Sequence, residues 1–584
     1  MCCNRAIRQG GTASCCSSFR TAACSVSSSG YSIAALRRLT LQRSRNVGDG
    51  LLMRDGYTLV WLGWEFDVPM PRLRLEPPPA RLPAGTVIEP LSVDIVVNDR
   101  VDETVLVDEP VRPPVPYPPA DPASTASTLT VRQQFWGEET VIPRDRWRFT
   151  ATPAGLPMVR LDGGFEPGLW YRVSYEPANP VVAGVALAAI RDAAAAFRYR
   201  TDLPVRGDTA YAFGQSQTGR LLREFLYGGF NVDREGRRVF DAMWVHIAGA
   251  ARGSFNRRFA TPAHGDMYLA TRAPFADVVE TDADGTSDGL QSRYPEDIRP
   301  RIFYTNTPVE YWGGGRAAAL THTSVDGERD LPLPDNLRMY VLAGTQHLVA
   351  PFPPVRVDSV TPGDPSVAAA ARSDGQQPSN PTPQANIMRG LLRAWHAWAA
   401  DDVEPPSSRY PRLADGTLVT AEDVSFPALP GVSDPRRIEG PAQVISGQVV
   451  ALPHLVPQVD VDGNDLAGVH DPEAAVPLAT TTGWNFRAAR VGNPDQLYQT
   501  LGSYIPFART RSEREALGDP RRSIEERYVD REDFLRRVRD AANELVGMRL
   551  MLEEDVDDAL ARAAEHWSLA TANDISSTLP GFPR

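Results

Sequence analysis

No lysine occurs anywhere in the 584 residues, so all 61 basic side chains are arginines. That excludes a Schiff-base lysine, a phosphate-loop lysine and a kinase-type lysine. Cysteine is confined to Cys2, Cys3, Cys15, Cys16 and Cys24. The body of the chain therefore offers no thiol nucleophile and no cysteine zinc cluster, and those five spacings form no readable metal or disulfide pattern. A His-Glu-x-x-His motif is missing too. No stretch approaches the length of an apolar membrane span, so no membrane-spanning helix is expected. Covalent chemistry is left to serine, threonine, tyrosine, histidine or a carboxylate.

What is present describes an acidic globular protein. A net charge of −12 argues against broad binding to nucleic acid or anionic membranes. The arginines are scattered beside Asp and Glu and read as solvated faces, and the missing lysine reads as a coding bias. Asp282-x-Asp284-Gly285-x-x-Asp288 and Asp460-x-Asp462-Gly463-Asn464 offer oxygen ligands at calcium-like spacing. Both place glycine too early and lack a terminal glutamate in register, and Asp-Gly and Gly-Asn are ordinary turn chemistry. No metal and no cofactor are expected.

The length allows about two to four domains. Residues 1–45 are rich in Ser, Cys and Arg without an apolar core long enough for a signal peptide; they read as a disordered tail or a misassigned start. As it stands, the chain reads as cytoplasmic. Tyr57–Leu62 reads as a buried strand. Residues 70–175 hold short alternating strands at Val93–Val97, Thr128–Arg132 and Trp170–Tyr175, with a Pro-rich stretch between Pro110 and Pro122, and read as a β-rich insertion. A helix follows at Val181–Phe197, with Val182, Val185, Ala189, Ile190 and Phe197 on one face. Strands then alternate with helices: Thr209–Phe213, Ala242–Ala248, Arg301–Thr305 and Arg338–Ala343. That order predicts a mostly parallel sheet, with its core over 46–69 and 176–400. Residues 356–386 read as a long surface loop and Ala385–Ala400 as a helix. Residues 401–584 read as a C-terminal extension ending in helices near Arg531–Leu552 and Glu554–Trp567.

The segment Gly214-Gln215-Ser216-Gln217-Thr218-Gly219-Arg220 lies between a β-branched, aromatic run and Leu221-Leu222-Arg223-Glu224-Phe225-Leu226, whose apolar residues recur at helical spacing. A serine on a tight strand-to-helix turn among small residues is a nucleophile elbow. The turn lifts the hydroxyl clear of the backbone, and it sets the helix N-terminus and the Gln217 amide where an oxyanion would form. The spacing departs from the usual one, because Thr218 stands two residues after the serine and glycine three after it. In an open parallel sheet, functional residues gather at the C-terminal ends of the strands. There, Arg301–Thr305 is followed by Asn306-Thr307-Pro308-Val309-Glu310, and Arg338–Ala343 by Gly344-Thr345-Gln346-His347. Ser216, Glu310 and His347 stand in serine–acid–histidine order; His347 is the expected base and Glu310 the residue that orients it. His322 is the rival base, and Asp326 and Asp330 are the rival acids.

With these motifs the chain resembles the large bacterial α/β-hydrolase-domain family of esterase-like proteins. The resemblance also rests on Gly56-Tyr57 through Gly63-Trp64, Glu310-Tyr311-Trp312, Gly483-Trp484-Asn485 and Gly502-Ser503-Tyr504-Ile505-Pro506-Phe507, and covers roughly 48–570. It implies an α/β fold: an alpha/beta-hydrolase core with a mostly parallel sheet flanked by helices, a β-rich insertion and a helical C-terminal region. It also implies the triad Ser216, Glu310 and His347. Members usually carry a further β-rich segment before the Gly-Tyr strand, and often an export signal. Here the 45-residue tail stands in that place, so the expectation is a sheet without its first strands, with an exposed edge at Tyr57–Leu62. Glycine three after the serine and a cation four after it also resemble the elbow of glucuronoyl esterases, with Arg220 where those carry lysine. A guanidinium there could hold a substrate carboxylate; the plainer reading pairs Arg220 with Glu224 one turn on. Gln217, Arg220 and Trp64 are the oxyanion and substrate-binding candidates. The expected activity is hydrolysis of a small-molecule or carbohydrate-linked carboxylic ester through an acyl-enzyme. The alternatives are an inactive hydrolase-fold binding module, and a peptidase or acyltransferase using the same triad.

Overall fold

The computed structural model describes residues 20–26 (backbone course only), 49–68, 73–83, 85–107, 114–203, 206–263, 272–313, 316–353, 374–446, 448–498 and 500–572. Among the described residues, seven strands form the central sheet: β1 (Arg20–Val26), β2 (Tyr57–Val60), β3 (Ala210–Gln215), β4 (Ala242–His246), β5 (Arg301–Asn306), β6 (Leu337–Ala343) and β7 (Val469–His470). Their order is β2-β1-β3-β4-β5-β6-β7, and every neighbouring pair is parallel. All seven strands therefore run the same way, so the ends of β3, β5 and β6 share one edge. Of the 1–45 tail, only β1 falls among the described residues, and it is a strand lying between β2 and β3. Among the described strands, β2 then stands at one end of the sheet.

Both faces of the sheet are covered, so its strands read as near-continuous apolar runs. Side chains alternate between the faces. Ala210, Ala212, Met243, Val245, Ile302, Tyr304 and Met339 pack with α1 (Val185–Tyr199) and α2 (Gln217–Tyr227). On the other face, Tyr211, Trp244, Phe303, Tyr340 and Leu342 pack with α4 (Ala385–Asp401), α5 (Arg531–Gly547) and α6 (Val556–Ala570); a short helix, α3 (Val309–Trp312), follows β5. Trp395 of α4 sits 4.9 Å from Tyr211 and 5.5 Å from Trp244, ring centre to ring centre. Truncating such a core aromatic to alanine costs about 3–5 kcal/mol. The helix before the elbow begins at Val185, later than the sequence pattern suggests. Its buried face is consequently Ala186, Leu187, Ile190 and Ala194, while Val182 is exposed.

The β-rich segment holds two antiparallel sheets. One has Leu91–Ile95, Trp170–Tyr175, Thr128–Arg132 and Thr140–Ile142; the other has Val101–Val105, Pro157–Phe165 and Trp147–Ala151. Val93, Ile95, Leu129 and Val173 of the first meet Trp147, Val159 and Phe165 of the second in one core. Beyond residue 401, β7 extends the central sheet, and α5 and α6 cover the same face as α4. Among the described residues, no helix is long and apolar enough to cross a membrane.

Candidate active site

Ser216 joins β3 to α2 with φ 55 and ψ −115. A side chain held in that region costs about 1–3 kcal/mol and persists only when its surroundings fix it. Here they do. The Ser216 amide donates to the His246 carbonyl of β4 at 2.8 Å, and the Ser216 carbonyl accepts from the Arg220 amide at 2.9 Å. The unusual spacing of the motif also has a physical account. Thr218 turns its hydroxyl back onto Gln215, accepting from the amide and donating to the carbonyl, each at 2.8 Å. Gly214 has no room for a Cβ, which would stand 2.4 Å from the Thr218 carbonyl oxygen. A Cβ on Gly219 would stand 2.9 Å from the Ala248 methyl. Threonine thus closes the turn, and the second glycine is displaced to where the helix meets β4.

The imidazole of His347, four residues beyond β6, stands between the other two groups. Its Nε2 is 2.9 Å from Ser216 Oγ and its Nδ1 is 2.6 Å from Glu310 Oε1. Glu310, in α3, is fully buried, and its second oxygen accepts the amide and hydroxyl of Thr307 at 2.7 and 2.6 Å. Burial alone would raise the Glu310 carboxyl. The facing imidazole and its hydrogen bond, then the Arg316 guanidinium and the Thr307 hydroxyl, outweigh it and hold the carboxyl below the ordinary carboxylate range. An ionised carboxylate only accepts, so Nδ1 carries the proton and Nε2 accepts from the serine hydroxyl. Burial, then Arg316 and Arg220, outweigh Glu310 at the imidazole and push it down to about 4. The resting histidine is neutral at pH 7.

The rival residues are engaged elsewhere. His322 is fully buried, 2.9 Å from the Tyr311 hydroxyl and edge-on to Tyr410. Asp330 accepts the amides of Leu413 and Ala414, and Asp326 accepts the Ser324 hydroxyl. Gln217 starts α2, and its side chain donates to the Pro262 carbonyl. Arg220 is buried beside His347; Glu224, the partner anticipated one turn on, instead pairs with Arg252 at 2.9 Å. Trp64 makes no hydrogen bond to the triad: its ring is buried edge-on to Phe255 at 5.3 Å, in the core shared with α1 and α2. In the calcium-like loops, Asp460 accepts the amides of Asp462 and Asn464, Asp462 pairs with Arg527, and Asp282 accepts from Gln443. Among the described residues no cluster of His, Cys, Asp and Glu could hold a metal ion.

The loop bearing His347 depends on residues that the sequence reading passed over. Asn380 donates its side-chain amide to the Gly344 carbonyl at 2.8 Å, and Gln384 donates to the Gln346 carbonyl at 2.5 Å. The amides of Asn380 and Gly502 both donate to the Gln346 side-chain oxygen. The stretch 356–386 was expected to be a surface loop. Its first part lies outside the described residues, but Asn380 and Gln384 are buried and hydrogen-bonded to the loop bearing His347. His246 at the end of β4 is a further buried neighbour, with Nδ1 2.8 Å from Thr305 Oγ1; burial holds it at about 4, against the pull of Glu310.

Asp465 accepts the Gly344 amide at 2.7 Å, and burial pushes its carboxyl up to about 7. In the unfolded chain such a group ionises near 3.9, so between pH 4 and pH 7 the folded state binds the extra proton. Stability therefore falls as pH rises through that window. Asp465→Asn, which keeps an oxygen for the Gly344 amide, is expected to gain thermal stability over the parent progressively from pH 4 to pH 7 and to hold that gain at pH 8. Melting curves at pH 4, 6 and 8 check this, and a gain independent of pH contradicts it.

Residues 157–561 match a family model described as Alpha/beta hydrolase domain, well over half of the chain. No curated protein and no solved structure was found to match.

Proposed function

The chain belongs to the alpha/beta hydrolase domain family, and from that premise we propose that it is a serine hydrolase of carboxylic esters. The single observation that carries this reading is the His347 ring bridging Ser216 and Glu310 at 2.9 and 2.6 Å. Ser216 Oγ attacks the ester carbonyl while His347 Nε2 takes its proton, and Glu310 stabilises the imidazolium through Nδ1. The carbonyl oxygen, now anionic, faces the start of α2, where the Gln217 amide is the expected donor. His347 returns the proton to the leaving alcohol, and water then releases the acid from Ser216 by the same sequence. Arg220, buried next to His347, is the residue we assign to a substrate carboxylate. Leu348 and Val349, exposed immediately after His347, offer apolar contact to the rest of the substrate. Trp64, packed in the core, receives no role.

The test is hydrolysis of p-nitrophenyl esters by the full chain with and without prior treatment with a fluorophosphonate. Hydrolysis that the reagent stops supports the proposal; hydrolysis that the reagent leaves untouched overturns it. The pH profile is equally specific. The base must be neutral to act, and its proton is lost near 4, so kcat/KM should stay level from pH 8 to about 5 and fall only below that. An acid limb near 6.5, the ordinary histidine value, contradicts the environment described for His347.

A further inference from the structure

We infer that Arg316, which no motif singles out, is a positioning residue of the triad: a buried guanidinium that ties down the strand-end loop under the elbow and fixes the charge around Glu310 and His347. The inference rests on the reading of His347 as the base. Arg316 follows α3 by four residues, and its side chain is almost wholly buried. Its Nη1 reaches the Ile247 carbonyl at 3.4 Å, and its own carbonyl accepts the Ala250 amide at 2.7 Å. The Ile247 amide donates to Thr305 of β5 at 2.6 Å, and the preceding carbonyl, His246, receives the Ser216 amide. Arg316 thus grips both sides of the loop from which the elbow hangs.

Its charge acts on the same groups. Among the described residues, the ionisable side chains facing His347 are Glu310 from α3, Ser216 and Arg220 from the elbow and α2, His246 from β4, and Arg316. Among these described residues, one carboxylate and two guanidinium groups share this buried space at rest with neutral imidazoles. Protonating His347 from solvent would add a third cation, which a low dielectric strongly disfavours. Proton transfer from Ser216 during attack differs, because the oxyanion forms together with the imidazolium and the total charge is unchanged. Arg316 therefore lets His347 take the serine proton while discouraging a proton from water. It acts after burial as the second influence lowering the imidazole, and it also helps to keep Glu310 ionised.

The experiment compares kcat/KM from pH 4 to pH 9 for the full chain, Arg316→Gln, Arg316→Lys and Ser216→Ala, with circular dichroism to establish folding. Arg316→Gln should move the acid limb up by about one to two pH units, so that activity at pH 5 falls up to about tenfold further than activity at pH 8. Arg316→Lys, which restores the charge, should return the limb towards its original position even if turnover stays lower. A folded Arg316→Gln with an unmoved limb overturns the inference. If Arg316→Gln does not fold, Arg316→Met, which keeps the apolar stem without the charge, decides: a limb displaced upward supports the inference, and an unmoved limb overturns it. Activity remaining in Ser216→Ala instead overturns the serine reading itself, whatever Arg316 does.

Discussion

Ser216→Ala is expected to lower kcat for ester hydrolysis by about four to six orders of magnitude, the usual loss when a triad nucleophile is removed. The argument is local. The Ser216 hydroxyl makes its hydrogen bond to His347, and its place at the end of β3 is fixed by backbone bonds to His246 and Arg220 that alanine retains. Alanine also shares the backbone strain at φ 55, so folding stability should change little while chemistry disappears. Ser216→Gly separates the two effects further. Glycine tolerates positive φ without the steric penalty, and that variant should be inactive yet more stable in urea by about 1 kcal/mol. Wild-type turnover in Ser216→Ala would remove the elbow from the mechanism.

His347→Ala should cost nearly as much as Ser216→Ala, because in the proposed mechanism base and nucleophile act as a unit. Glu310→Gln should leave a larger residue of activity. The amide still fills the pocket below Thr307, but it no longer supplies the charge that fixes the Nδ1–H tautomer and stabilises the imidazolium, a loss of about 10²–10⁴ in kcat. His322→Ala is the informative control. His322 is buried between Tyr311 and Tyr410, so its removal should lower the melting temperature and spare most of kcat. The reverse pattern, with His322→Ala dead and His347→Ala active, means that the base has been misassigned.

The candidate site was legible in the sequence wherever a titratable or nucleophilic residue sits beside a strong local signal. A strand, a tight turn and an amphipathic helix mark Ser216, and the strands at 301 and 338 each deliver one titratable residue within a few positions of their ends. The displaced glycine was readable as a departure, but its cause, the Thr218 hydroxyl turned onto Gln215, is a contact that no spacing rule encodes. Asn380, Gln384 and Asp465 were missed because they act over long sequence distance, through backbone groups of the loop bearing His347. Their own surroundings, rich in Pro, Ser, Gln and Asp, carry the composition of exposed loops. Arg316 was missed for a related reason, since one buried arginine among 61 has no local mark. Trp64 misled in the opposite direction. A tryptophan after a strand fits a cleft wall and a core equally well, and its packing on Phe255 decides for the core. Glu224, which the sequence offered to Arg220 one turn away, pairs with Arg252, a guanidinium that comes from elsewhere in the fold.

The most direct measurement is the position of the covalent adduct formed by a fluorophosphonate on the full chain. Trypsin, cutting only at arginine in a protein without lysine, releases the peptide Gly207–Arg220, in which Ser216 is the only serine. The account predicts one adduct per chain, on that peptide and on Ser216, absent from Ser216→Ala and formed far more slowly in His347→Ala. An adduct on any other residue, or undiminished labelling of Ser216→Ala, would contradict it.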